Sequence, residues 1–167
     1  MRKFIISVFL LASASPAFPG GEAETFTQMT DSLLAGSVRL IQAEEFQNMI
    51  ASGKEIFIID SRSSSEYEIS RLENAIFIDY ETFNPIKVEN IAKSATIVVY
   101  CSVGYRSEKT GEKLLDAGFS DVYNLNGGIF QWVNEGRKIY NSTGETARIH
   151  GYSEDWAKWL ERGEVIY

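Results

Sequence analysis

The chain has 167 residues, about one domain's worth, and its 44 % apolar and 23 % charged side chains exclude a disordered or fibrous polypeptide. Sixteen Lys and Arg against 23 Asp and Glu give a net charge of -7, so neither a nucleic acid nor an anionic membrane surface is expected as a main partner. One cysteine excludes an intrachain disulfide framework and one histidine a His-rich metal site; no metal or other cofactor is expected.

Residues 1–23 read as a secretory leader. Arg2 and Lys3 supply the positive start, Phe4 to Leu11 an apolar run, and Ala12-Ser13-Ala14 and Ser15-Pro16-Ala17 two small-residue cleavage patterns. The run is far shorter than the roughly 20 apolar residues that span a bilayer. A periplasmic or secreted protein is therefore expected, with no stable membrane insertion after cleavage. Residues 24–36 read as a linker.

The body alternates helix and strand. Phe46, Met49 and Ile50 fall at helical spacing in 43–50, with Gly53 as a stop. The run 55–60 reads as a buried strand, 64–69 as a brief helix capped by a serine, and 75–78 as another strand. Thr96-Ile97-Val98-Val99-Tyr100 is the clearest strand, being rich in β-branched residues. A helix follows over 107–117, stopped by Gly118, then a strand at 122–125 and a helix opened by Gly127-Gly128 and ended by Gly136. Residues 137–167 are more polar and carry a helix candidate around Trp156, Trp159 and Leu160; they are expected to pack on the same domain. Strands separated by helices of this length predict an α/β fold, a mostly parallel central sheet flanked by helices in three layers.

Ligand sites in such sheets lie beyond the carboxyl ends of strands, near helix N-termini. Cys101 stands there, directly after Tyr100, and Ser102-Val103-Gly104-Tyr105-Arg106 joins it to the next helix. A loop this short aims several backbone N–H groups at one point, and the helix dipole adds to the preference for an anion. Arg106 brings a permanent cation, Gly104 permits a crowded or left-handed backbone, and together they favour a reactive thiolate.

The run from Tyr100 to Ser107 resembles the active-site loop of the rhodanese family. Asp60-Ser61-Arg62 with Glu66-Tyr67 is similar to a second segment of that family, and Gly118-Phe119, Val122-Tyr123, Leu125, Gly127-Gly128 and Trp132 to a third. The likeness covers about residues 37–136. It implies a single-domain sulfurtransferase that takes a sulfur from thiosulfate or a related small anionic donor. The sulfur would be held as a persulfide and passed to a thiophilic acceptor such as cyanide, a thiol or a protein thiol. By position, Cys101 is the nucleophile and Arg106 orients the oxyanion. Ser102, Val103, Gly104, Tyr105 and Ser107 line the substrate cradle, while Asp60 and Arg62 support the loop from below.

The chain departs from the family where Ser70-Arg71-Leu72-Glu73-Asn74-Ala75 replaces a Gly-His and Ile-Pro-Gly-Ala turn, and Arg71 is expected to face solvent. His150 reads as an ordinary surface or packed residue, and Trp156 and Trp159 as packing. Two other classes share the same loop chemistry. A sulfur-carrier or adaptor module would hold the persulfide for another exported protein with little turnover. A phosphatase or arsenate reductase would bind a tetrahedral oxyanion, but four residues between Cys101 and Arg106 make a smaller ring than the five of tyrosine-phosphatase loops.

Overall fold

The computed structural model describes residues 25–167. The leader expected at 1–23 lies outside the described residues.

Five parallel strands form the central sheet: β1 (Arg39–Ile41), β2 (Ile56–Asp60), β3 (Ile76–Phe77), β4 (Thr96–Tyr100) and β5 (Asp121–Leu125). Their order is β1-β5-β4-β2-β3, which puts β4 at the centre with β2 and β5 on its flanks. All five residues of β4 are buried, the pattern of a strand covered on both faces. Alternation divides them. Val98 and Tyr100 join a core with Phe46, Leu125, Ile129 and Phe130. Ile97 and Val99 face the other way, toward Leu114, Phe119 and Val122. Burying each of these large apolar side chains stabilises the fold by roughly 1.5–3 kcal/mol.

The helices cover both faces. On the first lie α1 (Phe26–Leu33), α2 (Ala43–Ala51) and α5 (Gly128–Asn134); α3 (Ser64–Ile69) connects β2 to β3, and α4 (Tyr105–Asp116) covers the second face. The helix expected at 107–117 begins two residues earlier, because Gly104 turns the chain into it with φ +116°. The strand expected at 75–78 is only two residues long. The span 24–36 contains a capped helix, since Thr25 accepts from the Gln28 amide while the Gln28 side chain accepts from the Thr25 amide. Glu108 of α4 then clasps the end of that segment, accepting from the Ala35 and Ser37 amides at 2.9 and 3.0 Å.

Residues 137–167 fold over one edge of the first face. They carry the hairpin β6 (Ile139–Asn141) and β7 (Gly144–Thr146), the parallel pair β8 (Arg148–His150) and β9 (Glu164–Ile166), and the one-turn helix α6 (Glu154–Ala157). Ile139 and Ile149 enter the main core. Arg71 and Tyr140 exchange backbone hydrogen bonds at 2.8 Å, tying this segment to the turn after α3. Among the described residues no helix is long and apolar enough to cross a membrane.

Candidate active site

β4 delivers Cys101 to the carboxyl end of the sheet, where the residue is 1 % exposed. Its position is held from behind by α5. The Ile129 amide donates to the Cys101 carbonyl at 2.9 Å and the Phe130 amide to the Ser102 carbonyl at 3.0 Å. This approach requires glycine at 128: a β-carbon there would stand 2.4 Å from the Cys101 oxygen and 2.7 Å from Ser102 backbone atoms, at φ +57°. The Gly127-Gly128 pair thus seats the α5 N-terminus directly against the cysteine loop.

On the opposite side the sulfur meets donors. The Gly104 amide lies 3.2 Å from Sγ and the Ser107 hydroxyl 3.5 Å. Ser107 Oγ also lies 2.7 Å from Asn124 Oδ1, and Asn124 Nδ2 donates to the Gly104 carbonyl at 2.9 Å. That second bond orients the amide, so Oδ1 is the acceptor facing Ser107. The serine has one hydroxyl proton and three acceptors within reach, Asn124 Oδ1, the Gly104 carbonyl at 3.0 Å and the sulfur; it can turn toward the sulfur when that atom carries charge.

Arg106 takes a partner that the sequence reading did not assign. Its Nη1 donates to Glu66 Oε2 at 2.8 Å and its Nη2 to Glu66 Oε1 at 2.7 Å, a two-pronged pair, while Nη2 also donates to Ser102 Oγ at 3.0 Å. Ser102 donates in turn to Glu66 Oε1 at 2.8 Å. The expectation that Arg106 orients an oxyanion therefore meets a guanidinium already closed on a carboxylate. Glu66 reaches it because α3 opens with a capping box: the Ser63 amide and hydroxyl donate to Glu66 Oε2 at 3.0 and 2.9 Å.

Burial alone would raise the Glu66 pKa, but the Arg106 hydrogen bonds, the Arg106 and Arg62 charges and the Ser63 amide outweigh it. They pull the value down to about 2. For Arg106, burial opposes the charge, yet the bonds to Glu66 and the nearby charges of Cys101 and Glu66 hold it above its ordinary value.

Asp60 and Arg62 lie beneath the site, both fully buried, with Arg62 Nη2 and Asp60 Oδ2 at 2.7 Å. Tyr100 donates to Asp60 Oδ2 at 2.6 Å and accepts from the Leu72 amide at 3.0 Å. Burial, then the Asp60 charge, keep the Tyr100 phenol well above its ordinary pKa, so it stays a neutral donor. The Ser61 amide donates to the Tyr100 carbonyl at 2.9 Å, which links this buried pair to the end of β4. Arg71 stands apart from the cysteine pocket; its guanidinium lies 4.5 Å from the Tyr67 ring centroid.

Above Cys101 a pocket of about 290 Å³ opens, lined by Leu33, Cys101, Ser102, Val103, Tyr105, Arg106, Tyr152 and Trp156. Three of these come from outside the span of family likeness: Leu33 from α1, Tyr152 and Trp156 from the C-terminal segment. The ring of Tyr152 sits 5.1 Å from the Arg106 guanidinium, and its backbone holds φ +64°, unusual for a residue with a side chain. His150 secures that bend, its Nδ1 accepting from the Tyr152 amide at 2.9 Å. Burial lowers the His150 pKa, which keeps the ring a neutral acceptor. Trp159, by contrast, packs on Phe26 with centroids 5.9 Å apart.

A family model described as a rhodanese-like domain matches residues 42–135. A tRNA uridine(34) hydroxylase of Buchnera aphidicola subsp. Acyrthosiphon pisum is 43 % identical over 103 residues, 59 % of this chain and 32 % of that protein. The chain thus spans about a third of the length of the curated relatives it matches. A rhodanese-like domain protein from Staphylococcus aureus has a similar structure, with TM-score 0.55 and 28 % identity across 62 % of this chain and 98 % of that one. A thiosulfate sulfurtransferase from Pseudomonas aeruginosa shares the fold at TM-score 0.58 and 24 % identity, over 81 % of this chain and 26 % of that chain.

Proposed function

The chain belongs to the rhodanese-like domain family, and from that membership we propose that it is a sulfurtransferase whose Cys101 carries the transferred sulfur as a persulfide. The observation that carries this reading is the Gly104 amide aimed at the buried Sγ from 3.2 Å, on the floor of an open pocket. A persulfide extends the sulfur by one atom into that pocket and needs a nearby donor for its charge. The Ser107 hydroxyl offers a second donor, on a rotor that follows the charge. In the first half-reaction the Cys101 thiolate attacks the outer sulfur of a thiosulfate-type donor, and the remaining oxyanion leaves with the electron pair of the broken S–S bond. In the second, a thiophilic acceptor attacks the persulfide's outer sulfur and Cys101 departs as thiolate.

The sequence of residues 1–23 supports export to the periplasm or exterior, where an organic or protein thiol would serve as acceptor. The activity named for the curated relatives belongs to proteins about twice as long as this chain, and the acidic excess of this chain favours no polyanionic substrate. Intact-mass measurement before and after incubation with thiosulfate or another sulfane-sulfur donor tests the proposal. One added sulfur is expected, removable by cyanide and lost in Cys101→Ser. Sulfur loading retained by Cys101→Ser would overturn it.

A further inference from the structure

The pocket over Cys101 is ill suited to a small dianion. Its lining holds a single cation, Arg106. Three of that guanidinium's five N–H donors are spent within the protein, on both oxygens of Glu66 and on Ser102. Glu66 neutralises its charge, and the Tyr152 ring lies against it. Apart from Cys101 and Ser102, whose hydroxyl is taken up by Glu66 and Arg106, the rest of the wall is apolar or aromatic: Leu33, Val103, Tyr105, Tyr152 and Trp156. A doubly charged ion would give up its hydration against these groups with little fixed charge to replace it, in a molecule whose net charge is already -7. It would also fill only a fraction of about 290 Å³. An aromatic or aliphatic body bearing one charge meets the reverse conditions, since its carbon surface replaces water at the walls while its single charge faces the Gly104 amide.

We propose that this site selects organic sulfur compounds of one negative charge and apolar body, thiosulfonates as donors and hydrophobic thiols as acceptors, over thiosulfate. The inference rests on the sulfurtransferase reading above. With a thiosulfonate R–SO₂–S⁻ the Cys101 thiolate bonds to the terminal sulfur. The bond from that sulfur to the sulfonyl sulfur breaks, and R–SO₂⁻ leaves with its electron pair. Cys101–S–S⁻ remains and takes a proton from solvent. A thiolate R′–S⁻ then bonds to the outer sulfur, R′–S–SH departs with that proton, and the Cys101 thiolate returns. The transferred sulfur keeps its oxidation level throughout, so no external oxidant or reductant is needed. Tyr152 and Trp156 act here as specificity residues, contributed by a segment beyond the matched residues 42–135.

The test compares benzenethiosulfonate, methanethiosulfonate and thiosulfate as donors with cyanide as the common acceptor, following thiocyanate release. In the wild-type protein kcat/KM is expected to be highest for benzenethiosulfonate and lowest for thiosulfate, with a step on the order of tenfold for the ring. The two thiosulfonates differ in leaving-group reactivity, so the decisive readout is their ratio across variants. Trp156→Ala and Leu33→Ala should lower the benzene-to-methane ratio on the order of tenfold, and Trp156→Phe should retain it. A ratio unmoved by both alanine variants would overturn the role of the walls. Thiosulfate used as well as benzenethiosulfonate by the wild type would overturn the inference and leave the sulfurtransferase reading standing. Failure of all three donors to load sulfur on Cys101, read by intact mass, would overturn the reading beneath it.

Discussion

Glu66 and Arg106, forty positions apart in sequence, close on each other through two hydrogen bonds of 2.7 and 2.8 Å at the rim of the cysteine pocket. The same carboxylate caps α3 through Ser63, so one side chain joins a local helix start to the far end of the reactive loop. Removing its charge should have two separable effects. Glu66→Gln leaves Arg106 partly buried without a counter-charge, and stability is expected to fall by about 3 kcal/mol, read from urea midpoints. The guanidinium it releases should also lower the KM for thiosulfate by roughly threefold or more. An unchanged KM would mean that Arg106 does not face the donor even when freed.

The pair also sets an acid limit. The Glu66 pKa is about 2 when folded, against about 4.3 for an ordinary glutamate. A group whose pKa falls on folding stabilises the native state above its unfolded value and stops doing so as pH drops through its folded one. The contribution, about 3 kcal/mol, is thus complete above roughly pH 5 and fades between about pH 4.3 and 2. Urea midpoints measured across this range should decline in the wild type and decline less in Glu66→Gln. Parallel curves would assign the acid loss to other carboxylates.

Gly128→Ala should be among the most damaging single-methyl changes in the molecule. The added carbon would overlap the Cys101 carbonyl oxygen and Ser102 backbone, at a φ of +57° that alanine resists. A cost of about 2–4 kcal/mol is expected, lowering Tm by roughly 5–15 °C, along with slower sulfur loading of whatever folds. Calorimetry gives the first quantity and intact-mass time courses the second. A variant with wild-type Tm would show that α5 can withdraw from the loop freely.

Asn124→Ala removes the group that holds both the Gly104 carbonyl and the Ser107 hydroxyl in place. Each of these two buried groups loses one partner, while the Gly104 carbonyl keeps the Glu108 amide and the Ser107 hydroxyl keeps the Gly104 carbonyl, so a loss of about 1 kcal/mol is expected. Sulfur loading should also slow at a pH and urea concentration where the protein remains folded. Normal loading kinetics in a destabilised Asn124→Ala protein would confine this residue to a packing role.

Exported material should begin between Ser15 and Glu24, as N-terminal sequencing of the protein recovered outside the cytoplasm can establish. A first residue of Met1 on such material would refute the leader reading.

Much of the sheet was legible because it is written locally. The β-branched run at 96–100, the amphipathic spacing in 43–50 and the glycines at 118, 127 and 136 each act within one turn or one strand. The placement of Cys101 at a strand end before a helix start follows from the same patterns. What the pattern could not supply was α1, the short edge strand β1 and the strand pairs after Ile139. In each of these, two or three backbone hydrogen bonds and tertiary burial outweigh weak local propensity.

The sequence by itself determined the order of helices and strands between residues 43 and 136, the reactive sulfur and the small-residue loop around it, because these depend on neighbours within a few positions. Only the tertiary structure decided what surrounds that sulfur. The register of β2 beside β4, Asp60 opposite Tyr100, brings the α3 carboxylate to Arg106. The return of the chain after His150 then lays Tyr152 and Trp156 over the opening. Contacts across forty or more residues are selected by how layers pack, and side chains with no shared local signal meet only once the sheet has aligned the elements that carry them.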